Sequence, residues 1–220
     1  MERIVAKNIV SAYGKKQVLK GVDLLAQAGQ CVGIVGENGC GKSTLLNILA
    51  GLRKADSGEI HAADAGYVPQ EGNLLDELNV LDNLSLWYKD KTELKRSLEQ
   101  GFLRDLGVDK MCRMKAGKLS GGMKKRVSIG CALAGNPPIL ILDEPAAALD
   151  LMGKADIRRY LAAYKELGGT IVIATHEESD LEICDKIYAL HNGKSKEINR
   201  FLRGEELINE IGGCFNGKEK

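Results

Sequence analysis

Apolar residues along this chain follow two different periods, and the two alternate. The continuous runs Cys31-Val32-Gly33-Ile34-Val35, Ile139-Leu140-Ile141-Leu142 and Thr170-Ile171-Val172-Ile173-Ala174 have the length and β-rich content of strands covered on both faces, the pattern of a parallel sheet. Residues 43–49 follow the first run with helical spacing of Leu45, Leu46, Ile48 and Leu49. Residues 153–167, between the second and third runs, read as an amphipathic crossover helix. Ahead of these, Ile4-Val5-Ala6 with Ile9-Val10, and then Val22-Asp23-Leu24-Leu25, read as short strands of an antiparallel edge sheet flanking a turn at Ser11-Ala12-Tyr13-Gly14. Near the end, Lys186-Ile187-Tyr188-Ala189-Leu190 and Ser195-Lys196-Glu197-Ile198 flank His191-Asn192-Gly193-Lys194, and Asn-Gly is a strong hairpin signal.

The alternation is interrupted over residues 74–135, where helical spacing and charge dominate, as in Lys89-Asp90-Lys91-Thr92-Glu93-Leu94-Lys95-Arg96. The expected fold is α/β. A mostly parallel sheet with flanking helices carries an N-terminal antiparallel β subdomain and an inserted helical subdomain, all in one domain over residues 1–220. Residues 1–73 and 136–200 form the core with its edge sheet, residues 74–135 the helical insertion, and residues 201–220 a C-terminal tail that frays from Gly212.

The 220 residues, 44% hydrophobic, suffice for one sizeable core. With 31 Lys and Arg against 30 Asp and Glu the net charge is +1, so no global field draws in nucleic acid, and none is expected as a partner. The six cysteines form no C-x-x-C pair and no zinc spacing, and read as reduced cytosolic thiols. The N-terminus has no signal-type apolar region, and no apolar stretch approaches the ~18 residues that span a bilayer. Any membrane role needs another chain to supply the spans.

Candidate chemistry begins at Gly36-Glu37-Asn38-Gly39-Cys40-Gly41-Lys42-Ser43, followed by Thr44, which fits G-x-x-x-x-G-K-[ST] between a predicted strand and a predicted helix. Phosphate oxygens need several converging backbone N–H groups, which glycines allow; Lys42 adds a cation for β/γ-phosphates and Ser43 a hydroxyl for Mg²⁺. A carboxylate should hold that ion from the end of a neighbouring buried strand. Asp143 stands there, and Glu144, one residue further, could polarise a water attacking the γ-phosphate. His176 follows the strand ending at Ala174, where ligands sit in open α/β sheets, and could hydrogen-bond the γ-phosphate, although a lone strand-end histidine is more often unremarkable. His61 and His191 lie in polar turn contexts. A second glycine-rich motif, Leu119-Ser120-Gly121-Gly122-Met123, opens a helix that one subunit's own phosphates do not need, and points to an ATP site completed by a second copy or a partner.

In order along the chain, Tyr13, residues 36–44, Gln70 in Tyr67-Val68-Pro69-Gln70, Leu119-Ser120-Gly121-Gly122, Asp143 with Glu144, Asp150 in Ala148-Leu149-Asp150, and His176 resemble the nucleotide-binding domain of ABC (ATP-binding cassette) transporters over about residues 2–200. The resemblance implies ATP and Mg²⁺ as cofactors. Tyr13 would stack on adenine, Gln70 would offer its amide oxygen to Mg²⁺ or the attacking water, and Ser120, Gly121 and Gly122 would face the γ-phosphate of the opposite subunit. Asp150 would lie across the dimer seam. It further implies a homodimer or heterodimer of such domains that powers separately encoded permease subunits from the cytoplasmic face of the membrane. The stretch Leu74-Leu75-Asp76-Glu77-Leu78-Asn79-Val80 with Leu84, Trp87 and Tyr88 is the candidate docking contact, and a core-facing helix explains the same residues equally well. The compact length points to an exporter-like or peptide-type system.

Three positions depart from the family pattern. Met123 replaces the usual Gln, Ala146-Ala147 replace hydroxyl residues, and the stretch between Gly58 and Gln70 is short, which suggests an edge sheet that has lost a strand or hairpin. Two alternatives remain: a soluble ABC-type ATPase of DNA repair, chromosome organisation or translation, and a small-molecule P-loop kinase, which gives residues 119–122 no role.

Overall fold

The computed structural model describes residues 2–71, 73–147 and 149–213. The chain opens with a long hairpin, β1 (Glu2–Tyr13) and β2 (Lys16–Gln27), in which Tyr13 pairs with Lys16 across a turn of Gly14 and Lys15. The sequence reading placed a wider turn at residues 11–14. Distant partners extend the strand through it: Ala12 N donates to Asp56 Oδ2 at 2.7 Å, and the Arg53 guanidinium lies over the Tyr13 ring. Next come β3 (Cys31–Val35), α1 (Lys42–Leu49), β4 (Ser57–Ala62) and β5 (Ala65–Val68). β4 pairs antiparallel with β1 to complete the three-stranded sheet β2-β1-β4. Only Ala63 and Asp64 separate β4 from β5, so the short stretch before Gln70 still carries a strand of each sheet.

Between β5 and β6 (Ile139–Asp143) lie α2 (Val80–Ser85), α3 (Lys91–Gln100), α4 (Phe102–Asp105) and α5 (Gly121–Ala132), with short 3-10 turns and no strand among the described residues. There follow α6 (Leu151–Glu166), β7 (Thr170–Ala174), β8 (Lys186–His191), β9 (Lys194–Ile198) and α7 (Gly204–Gly213). The large sheet runs β5-β6-β7-β3-β8-β9, parallel through β8, with β9 returning antiparallel. Asn192 and Gly193 turn β8 into β9 with φ of 50° and 80°, the left-handed pair that a tight hairpin requires.

Period-two alternation divides the large sheet between two cores. Leu140, Leu142, Ile171, Ile173, Ile187 and Ala189 face the side covered by α5 and α6. Ile139, Ile141, Val172, Ala174, Tyr188 and Leu190 face α1 and the antiparallel sheet. This double burial explains the continuous apolar runs. Part of the segment read as a C-terminal tail is a helix: α7 buries Leu207 in the first core, and Gly212 and Gly213 belong to its last turn. Residues 214–220 lie outside the described part.

Candidate functional site

The carboxyl ends of β6, β7 and β3, adjacent in the sheet, converge on one cavity. From β3 the chain enters the loop 36–41. A Cβ on Gly36 would stand 2.2 Å from Leu190 O, so the close approach to β8 excludes any other residue. Gly41 takes φ 115° and caps α1 with no side-chain bond, which leaves the first N–H groups of the helix directed at the loop's hollow. Such a terminus is ready for an anion. Lys42, buried as the first residue of α1, curls back over the loop: its Nζ donates to Gly36 O at 2.8 Å and to Glu37 O at 3.2 Å. The same Nζ stands 3.1 Å from His176 Nε2.

Asp143 ends β6 and is 3% exposed; among the described residues its carboxylate makes no side-chain hydrogen bond or ion pair. Glu144 follows with φ 48° while its N–H donates to Ala174 O at 2.9 Å, so the chain turns left-handed at the point where it leaves the sheet. This turn sends the Glu144 carboxylate toward the loop after β7. Its Oε2 accepts from His176 N at 3.3 Å and its Oε1 lies 3.3 Å from His176 Nε2. His176 Nε2 also lies 2.9 Å from Asn38 Oδ1, so one ring nitrogen meets an ammonium, an amide oxygen and a carboxylate. Behind it, Thr175 Oγ1 donates to Asp180 Oδ2 at 2.9 Å and accepts from Glu177 N at 3.0 Å, fixing the loop; burial pushes the Asp180 carboxyl above its usual range.

Asn38, Gly39, Gly41, Lys42, Ser43, Thr44, Gln70, Asp143, Glu144 and His176 line this single cavity of about 580 Å³, together with Val18, Ala147 and Glu177. Glu37, Asn38, Gly39 and Cys40 also face a smaller cleft beside His191 and Gly193. No group of three or more His, Cys, Asp or Glu side chains suited to a metal occurs among the described residues. The donor set nevertheless fits Mg²⁺, which binds through one or two carboxylates and completes its shell with phosphate oxygen and water. Asp143, buried and with no side-chain bond to another described residue, shares the cavity with the Ser43 hydroxyl and the Gln70 side chain, all hard oxygen donors.

The remaining expected residues lie outside this cavity. Tyr13, 52% exposed at the end of β1, carries Arg53 on one ring face. Ser120 caps α5, its Oγ accepting from Met123 N at 3.3 Å, and Ser120 and Gly121 are exposed. The Met123 side chain is partly buried against the core, so this departure adds apolar packing. Asp150 caps α6 through Oδ1, which accepts from Gly153 N at 2.7 Å. Its neighbour Ala148 is outside the described residues.

Sequence reasoning missed Lys125. In the basic run Lys124-Lys125-Arg126, successive residues on α5 point in different directions. Lys124 pairs with Asp76, Arg126 with Asp156, and Lys125 is buried, its Nζ donating at 3.1 Å to the backbone oxygens of both Pro69 and Gln70. Burial lowers the Lys125 ammonium pKa, opposed by the negative fields of Asp143, Glu144 and Glu71. The helical phase of α5 was the available signal. The candidate docking stretch also divides: Val80, Leu84 and Tyr88 are core residues, whereas Leu75 and Trp87 are exposed, as is Leu86, which the sequence reading did not include.

No helix among the described residues is long and apolar enough to cross a membrane. The ABC transporter family model matches residues 19–147. The sulfate/thiosulfate import ATP-binding protein of Methylococcus capsulatus is 34% identical over 217 residues, an alignment covering 89% of this chain and 62% of that protein. The linearmycin resistance ATP-binding protein of Bacillus subtilis is 33% identical over 226 residues, 94% of this chain and 71% of that one. A dimeric bacterial ABC transporter cassette of known structure superposes with a TM-score of 0.81 at 31% identity, covering 91% of this chain and 99% of that chain. A dimeric post-hydrolysis cassette bound to ADP and Pi superposes with a TM-score of 0.79, also at 31% identity and with the same coverage of both chains. With a family model over more than half its length, and relatives and structures of one kind along nearly all of it, this chain belongs to the ABC transporter family as an ATP-binding cassette.

Proposed function

We propose that this chain binds ATP with Mg²⁺ in the cavity at the carboxyl end of the parallel sheet. Two such cassettes, alike or different, close head to tail over two nucleotides, and hydrolysis reopens them to drive separately encoded permease subunits at the cytoplasmic face of a membrane. The observation that carries this reading is a division of the site. Asn38, Gly39, Gly41, Lys42, Ser43 and Thr44 of the loop meet Asp143, Glu144 and His176 in one cavity, while Ser120 and Gly121 stand exposed at the start of a second helix outside it. An anion-ready helix end facing solvent fits a phosphate held by another copy.

In this reading Lys42 leaves the carbonyls of Gly36 and Glu37 for the β- and γ-phosphates, and backbone N–H groups of 37–44 hold the remaining oxygens. Glu144 polarises the attacking water, with Gln70 beside it, and His176 donates to the γ-phosphate. Mg²⁺ held by Ser43, Asp143 and Gln70 would offset phosphate charge. Tyr13 stacks on the base. Asp150, by fixing the start of α6, sets the seam between the two cassettes. Residues 74–135 form the lobe that carries α5 and offers Leu75, Leu86 and Trp87 to the permease.

Glu144→Gln removes the base and keeps the shape. Light scattering with ATP should then give a stable dimer, with turnover slowed on the order of 10²–10⁴-fold. A variant that stays monomeric in saturating ATP, or turns over at the unmodified rate, overturns the reading.

A further inference from the structure

Arg53 lies in the connection between α1 and β4, and its guanidinium is held on three sides. Nε donates to Ser11 Oγ at 3.1 Å, Nη2 donates to Ala12 O at 2.6 Å, and Cζ stands 3.9 Å from the centre of the Tyr13 ring. Ser11 is fully buried, so the anchor is firm. Three residues on, Asp56 closes the other edge of the strand: Oδ2 accepts from Ala12 N at 2.7 Å, and Asp56 N donates to Val10 O at 2.8 Å. One short loop thus clamps the last residues of β1. The Tyr13 ring is half exposed and has the cation on one face.

The loop that holds Tyr13 follows the end of α1 at Leu49, and α1 begins at the phosphate loop. An eight-residue helix is about 12 Å long and does not stretch, so it and the clamped connection that follows it together space the tyrosine ring from the phosphate cradle.

We propose that Arg53 is a positioning and specificity-determining residue for the purine base of the bound nucleotide: it fixes the plane of Tyr13 and, as a cation on the far face, strengthens stacking of adenine on the near one. The inference rests on the reading of Tyr13 as the base platform. A guanidinium over an aromatic face draws on the ring's π-electrons, and the depleted opposite face stacks better against an electron-rich purine. Because the hydrogen bonds of Arg53 go to Ser11 and Ala12, the cation is held by the fold and needs no nucleotide to place it.

The test is calorimetric titration of the full chain with ATP and with inorganic tripolyphosphate, which shares the phosphates and lacks the base. Arg53→Met keeps the length of the side chain and removes its charge. The expected result is an ATP Kd raised roughly two- to fivefold with the tripolyphosphate Kd unchanged. Arg53→Lys should recover part of the loss, and in a Tyr13→Ala background Arg53→Met should cause no further change. Unaltered ATP affinity in Arg53→Met overturns the inference, as does an equal loss for both ligands, which would place the effect on the phosphate cradle. Tighter ATP binding also overturns it, because the guanidinium would then occupy the base's own face. If Tyr13→Ala itself leaves ATP affinity intact, the platform reading falls and takes this inference with it. Loss with Tyr13→Ala but none with Arg53→Met sinks the inference alone.

Discussion

Lys125 of α5 holds the backbone oxygen of Gln70 at 3.1 Å, and so ties the helical segment to the edge of the phosphate cavity. The same ammonium takes Pro69 O, which makes the tie a two-point bracket. Lys125→Met removes the donor and leaves two carbonyls without their charged partner, at a cost of about 1–3 kcal/mol. For a chain of this size each kcal/mol lowers the melting temperature by about 2–4 °C. Turnover should fall while ATP affinity stays close to the unmodified value, and Lys125→Gln, with an amide donor, should recover part of both losses. Thermal melts and steady-state kinetics on the three proteins check this.

Lys42→Ala leaves the loop glycines in place and removes the one ammonium that lies across them. Titration calorimetry should show ATP binding weakened on the order of a hundredfold, because a charge-assisted contact to phosphate in a partly buried site is lost. Unchanged affinity would remove the phosphate-loop assignment.

Ser120→Arg puts bulk and charge at the exposed start of α5. It should abolish ATP-dependent dimerisation and hydrolysis but leave ATP affinity of the single chain unchanged, since that residue lies outside the cavity. Sedimentation with ATP, paired with calorimetry, separates the two effects. Retained dimerisation and hydrolysis would argue for a nucleotide site complete in one chain.

Cys40 sits inside the phosphate loop, and burial pushes its thiol pKa up, with Lys42 pulling the other way. A raised pKa means less thiolate at neutral pH, so alkylation should be slow there and accelerate about tenfold per pH unit up to the shifted pKa. Labelling should inhibit, and ATP should protect. Verified labelling with full activity would show that the loop does not close on nucleotide at this residue.

Much of the sheet was legible because burial on both faces leaves a continuous apolar run; β3, β6 and β7 each match the run read from sequence to within a residue. The cavity was legible because its residues sit at strand ends with fixed local motifs, so Lys42, Asp143, Glu144 and His176 could be placed without knowing how they meet. What was not legible depends on partners distant in sequence. β1 runs on to Tyr13 because Arg53 and Asp56 hold its end, a bond pattern with no local signal. Lys125 carries no motif of its own, and only the phase of α5 and the distant partners Pro69 and Gln70 give it a place at the site. α7 was overlooked although Leu207 and Ile211, four residues apart, already give it an apolar face, which packs on the first core.

The left-handed backbone at Glu144 sets two selection pressures against each other at one position. A side chain there carries a conformational cost of about 1–2 kcal/mol that glycine does not. A library randomised at residue 144 and sorted by thermal survival should therefore enrich glycine and asparagine, while the same library sorted by ATP turnover should return glutamate. The wild-type residue would then not be the one that thermal survival ranks first, and its persistence would measure what this cassette gives up in robustness to keep a carboxylate aimed at the loop after β7.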